Sequence, residues 1–111
     1  MGTDLNTKLH TIVTDAYNDA RKQMDEYKKQ LPDELKGFVD LHFKSLERAK
    51  EQLTKDADFY VFGKWGDDQK IKSFKIHCVS RFLGIVMMAE PKNIESYGIT
   101  YQEYITPQKE H

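Results

Sequence analysis

Near Ala57 the chain changes its repeat: helix-spaced apolar residues precede it, and aromatic and β-branched residues in alternation follow it. A chain with that change of period is expected to fold in two layers, because a 3.6-residue repeat builds a helical stripe and a 2-residue repeat builds a sheet face. The pattern predicts an α+β domain. A helical hairpin over about residues 4–55 would pack on an antiparallel sheet of about four strands over about 57–106. At 111 residues the chain is expected to form one domain.

The first helix is expected from Leu5, Leu9, Ile12, Ala16, Ala20, Met24, Tyr27 and Leu31, with Asp15, Asp19, Lys22, Asp25 and Lys29 opposite. Leu31-Pro32-Asp33-Glu34 breaks it and starts the next, since proline suits a helix start and acids suit its positive end. The second helix follows Leu35, Val39, His42, Leu46, Ala49 and Leu53. Gly37 either frays its first turn or permits close packing.

In the second half, 58–65 reads as a strand and Gly66-Asp67-Asp68-Gln69 as a turn. A second strand covers 71–79, a reversal 80–84, and a central strand 83–89. The last strand is read from Tyr97, Ile99, Tyr101 and Ile105 alternating with Thr100, Gln102 and Thr106. Residues 74–90 also match a buried helix, with Ile76, Val79, Leu83 and Val86 or Met87 in register. Strands are preferred there because Val, Ile and Phe dominate and Gly84 interrupts.

No stretch approaches the roughly 20 apolar residues of a membrane span, and no basic region followed by an apolar core marks a secretory signal. Cys78 is the only cysteine, which excludes an internal disulfide and points to a reducing, cytoplasmic setting. Lysine far outnumbers arginine, a bias that suits an AT-rich genome and a phage or mobile-element source.

Metal and catalytic chemistry find little footing. His10 and His42 fall roughly 16 Å apart on an antiparallel hairpin, too far to share an ion. His77 and Cys78 would point to opposite faces of a strand, so they form no nucleophile–base pair. The acidic doublets Asp56/Asp58 and Asp67/Asp68 read as solvated turns. No cofactor, metal or catalytic residue is assigned.

A cluster between Lys64 and Arg81 is more informative, with five bases and two acids interleaved with aromatic residues. Tyr60, Phe62, Lys64, Trp65, Lys70, Lys72, Lys75 and Arg81 are assigned as the partner-binding set, aromatics as anchors and bases as steering charges. A hairpin covers one face of a sheet, so the other face is expected to bury itself in a homodimer or a protein partner. The expected function is that of a small non-enzymatic regulator, inhibitor or adaptor that occludes a partner's surface. The alternative is single-stranded nucleic-acid binding on a basic, aromatic sheet. A third reading is a small-ligand pocket or enzyme lined by Trp65, His77, Tyr97 and Tyr101.

Overall fold

The structure is a computed structural model that describes residues 2–106, with side chains from residue 5 onward. Three long helices form an up-down-up bundle: α1 (Gly2–Gln30), α2 (Asp33–Val61) and α3 (Asp67–Met88). Two one-turn helices, α4 (Pro91–Glu95) and α5 (Tyr101–Ile105), close one end. No strand occurs among the described residues, so the expected sheet is absent and the fold is all-α. The molecule is a rod, 59 × 31 × 17 Å.

Side-chain pairs fix the register of α1 against α2. Lys28 meets Asp40 at 2.8 Å, Arg21 meets Glu47 at 3.5 Å and His10 meets Asp58 at 3.4 Å. Every step forward on α1 is matched by an equal step back on α2, as an antiparallel pair requires. Tyr60 packs edge-on against Phe74 and His77 reaches Asp56 at 3.0 Å, which sets α3 antiparallel to α2. The Tyr17 and Phe82 rings meet at 6.2 Å and tie α1 to α3.

The core is one continuous seam. Leu5, Leu9, Val13, Tyr17, Ala20 and Met24 come from α1, and Phe38, Val39, Leu46, Ala49, Leu53 and Ala57 from α2. Phe74, Cys78, Phe82 and Val86 of α3 complete it, with Leu31 and Ile94 plugging the end that carries α4. Val13 and Tyr17 are buried, whereas Ile12, Ala16 and Tyr27 are only half-buried. A helix that touches two neighbours needs a wider apolar face than a hairpin helix, so the seam shifts toward the third helix.

Each expected strand is overturned for an identifiable reason. Residues 58–61 are the last turn of α2, and 62–66 form the connection to α3. The supposed second and third strands and the reversal between them are all α3, because Lys70, Phe74, Cys78, Phe82 and Val86 recur every four residues and face the core. β-Branched and aromatic residues favour strands only when they can pack on a pleated surface, and here the two preceding helices offer a groove instead. Gly84 lies on an open side of α3 and interrupts nothing. The alternation over 97–106 builds no strand, for the segment turns at Gly98 and continues as α5. Thr100 and Glu103 there exchange reciprocal capping bonds, the Thr100 hydroxyl accepting from the Glu103 N–H, and start α5.

Proline and glycine mark the connections. Pro32 is the N-cap residue of α2, ahead of Asp33 and Glu34 in its first turn. Gly98 adopts a φ of 74°, the left-handed conformation that allows the chain to turn from α4 to α5. No helix among the described residues is long and apolar enough to cross a membrane.

Candidate functional site

The connection after α2 gathers the largest exposed aromatic surface. α2 ends at Val61, and its last carbonyls are capped by the Phe62 N–H, which donates to the Phe59 carbonyl, and the Gly63 N–H, which donates to the Tyr60 carbonyl. Phe59, Phe62 and Trp65 are left 77%, 84% and 59% exposed, with Lys64 exposed between the last two. The helix end that carries them is held from below by Lys70. Its buried ammonium donates to the Val61 carbonyl at 2.8 Å, so a residue of α3 satisfies an orphan acceptor of α2. The aromatic end is thus built on a tied turn.

The eight residues assigned from the sequence divide into groups. Phe62, Lys64 and Trp65 come together at this end of the bundle. Tyr60 is half-buried, edge-on to Phe74 at 4.9 Å and stacked on the His77 ring at 6.2 Å. Lys70 is engaged with Val61 as described. Lys72, Lys75 and Arg81 are exposed on α3, but at 100° per residue they point to different sides of it. They form no single basic stripe. Phe59 joins the patch although the sequence reading left it out; its spacing of three from Phe62 is the signal, once the segment is a helix.

His77 and Cys78 part company on α3 as they would on a strand. His77 turns to Asp56, while Cys78 is fully buried. Burial, helped by the Asp56 charge, pushes the Cys78 thiol up to about 12, so it is a packing group rather than a nucleophile. Burial raises the Asp56 carboxyl, but hydrogen bonds from His77 and Gln52 together with the nearby charges of His77 and Arg81 outweigh it and hold the group below its ordinary value.

At the opposite end, Tyr97 and Tyr101 do meet, though without the two partners expected of them. Phe38 receives Tyr97 and Tyr101 edge-on at 5.0 and 5.3 Å, with Tyr104 at 5.5 Å. Tyr101 seats directly over Gly37, where a side chain would collide with its ring. An open cavity of about 380 Å3 lies between Phe38, Leu41, His42, Tyr97, Ile99 and Tyr104. His42 shares a hydrogen bond with the Tyr97 hydroxyl at 3.2 Å, and burial holds its ring below the ordinary histidine value. Trp65 and His77 belong to the other half of the rod.

Among the described residues, no three His, Cys, Asp or Glu side chains converge as metal ligands would. Comparison with known proteins finds no matching family model, no similar curated protein and no similar solved structure.

Proposed function

We propose that this chain is a small non-enzymatic interaction protein, a regulator, inhibitor or adaptor, that occludes part of a protein partner's surface with its aromatic end. The observation that carries the reading is the exposure of Phe59, Phe62 and Trp65 within two turns of chain. Large aromatics held out in water on an ordered turn supply the rigid, desolvatable anchors that dominate protein interfaces. Lys64 beside them supplies steering charge, which acts on the rate of encounter more than on final affinity. A protein partner suits the surface better than single-stranded nucleic acid does, since Lys72, Lys75 and Arg81 diverge around α3 and, among the described residues, no basic track follows the aromatics. A cytoplasmic setting belongs to the same reading, consistent with a lone buried cysteine.

The test is a comparison of the wild type with the Phe62→Ala/Trp65→Ala double variant. Photo-crosslinking from a residue next to the patch identifies the bound protein, and binding is then measured with the purified pair. Loss of about 2 kcal/mol or more of binding, with unchanged helical circular dichroism, is expected for anchor residues. A blue shift of Trp65 emission on binding should accompany it, since Trp65 is the sole tryptophan. Equal affinity of the double variant would refute the reading.

A further inference from the structure

α3 is apolar on two sides. Phe74, Cys78, Phe82 and Val86 face the bundle, while Ile76, Val79, Leu83 and Met87 remain 68%, 47%, 52% and 50% exposed. The second set recurs at steps of three and four, so it forms a continuous outward stripe about 16 Å long at 1.5 Å per residue. Val79 and Leu83 also flank a groove of about 240 Å3, whose other wall is Ala16, Asp19, Ala20 and Gln23 of α1. The two alanines leave room for a side chain of a further helix to enter beside Val79 and Leu83, with Asp19 and Gln23 at the polar margin.

We propose that a second copy of this chain fills that position, packing its own α3 antiparallel along the stripe to form a symmetric homodimer. Two observations select this occupant, and a third sets the extent of the contact. First, the stripe is complementary to itself when reversed. With a two-fold axis near residue 81, Val79 faces Leu83 of the second copy and Ile76 faces its Met87. A two-fold contact requires that each residue meet its counterpart in both directions, and this spacing satisfies the requirement. Second, the charges at the two ends agree with the reversal. Exposed Lys72 lies one turn before Ile76, and Glu90 lies just past the end of α3. An antiparallel copy sets Lys72 against Glu90 twice, whereas a parallel copy would set Lys72 against Lys72. The Glu90 side chain is 28% exposed and lies 3.7 Å from Lys92 of its own chain, a weak pair that Lys72 of the second copy would have to displace.

Third, the area sets what the contact must include. The four stripe residues expose roughly 400 Å2 per copy, within the range of the largest apolar patch on a monomer, which is often functional. The stripe alone offers about 800 Å2 to the pair, short of the ~1,200 Å2 at which specific dimers begin, so the polar flanks of α1 and α3 must supply the remainder. This surface is separate from the aromatic end, so the dimer stands or falls independently of the partner reading. Its geometry places the two Trp65 side chains about 48 Å apart, at opposite ends of the assembly. The homodimer therefore displays two partner sites facing away from each other and is suited to bridging two copies of a target.

Sedimentation equilibrium of the full chain across micromolar concentrations tests the proposal. The wild type is expected at about 26 kDa, twice the chain mass of 13.0 kDa. Leu83→Glu is expected at the monomer mass with unchanged helical circular dichroism, since Leu83 is half exposed and the charge reaches water. Lys72→Glu and Glu90→Lys should each weaken the dimer several-fold, and the two together should restore it. Phe62→Ala should leave it intact. A wild-type monomer, a dimeric Leu83→Glu, a failure of the charge exchange to restore association, or loss of the dimer in Phe62→Ala would each overturn the proposal.

Discussion

Gly37 and Gly84 both sit inside long helices, yet the environment of each makes opposite demands on the residue. A methyl group at position 37 would run into the Tyr101 ring, and that ring is wedged against Phe38 with Tyr104 beside it. Alanine favours a helix by about 1 kcal/mol over glycine, but overpacking a seated aromatic costs about 1–3 kcal/mol. Gly37→Ala is therefore expected to destabilise, and urea denaturation should show the loss. In a Tyr101→Ala background the collision is gone, so the same change should become neutral or stabilising. Of the two possibilities the sequence left for Gly37, close packing is the one realised. Its partner lies 64 positions away, beyond the reach of any local pattern.

α3 is the element on which the sequence reading turned. Its core positions recur every four residues, but Ile76, Val79, Leu83 and Met87 overlay a second apolar register on the opposite side. Two registers on one segment erase the polar face that normally reveals a helix, and what remains resembles a buried strand. The helical alternative for 74–90 located the element while assigning its buried side to the stripe that is exposed. Gly84 then looked like a reversal, although nothing lies within 4 Å of where its side chain would be. Gly84→Ala is thus expected to stabilise by about 0.5–1 kcal/mol, read as a higher urea midpoint with unchanged slope. A turn or strand at that position would give no such gain. Lys70 shows the same limit: assigned from the sequence as a steering charge for a partner, it is instead buried and bonded to the Val61 carbonyl, because α2 extends past Ala57.

Across the whole molecule, the C-terminal segment adds one titratable contact, His42 with Tyr97, to its aromatic packing on Phe38. Tyr97, Tyr101 and Tyr104 lie over Phe38, with His42 bonded to the Tyr97 hydroxyl and its ring held below the ordinary value of 6.5 by burial. A histidine whose folded value is lowered contributes its full stability above the ordinary value and loses it as pH falls through the folded one. Stability should therefore decline as pH is lowered from about 6.5, and His42→Gln should flatten that part of the profile. Hydrogen exchange at 97–105 is expected to rise first, because this end is held by few contacts while the three long helices share one core.

The first helix, the second as far as about residue 55, their antiparallel order and the break at Pro32 could be read from the residues alone, because a single-sided 3.6-residue stripe has one economical burial; the last turns of α2, to Val61, could not. The sequence also singled out the aromatic end at Phe62, Lys64 and Trp65, since composition concentrates large side chains there whatever the backbone does. Tertiary structure alone decided that 67–88 is a helix, which of its two apolar registers faces inward, and that Val13 and Tyr17 join the core. Short apolar runs fit a pleated sheet or a helical groove about equally well, and the choice falls to the surface already formed. Here that surface is the groove between two long helices, and a third helix fills it.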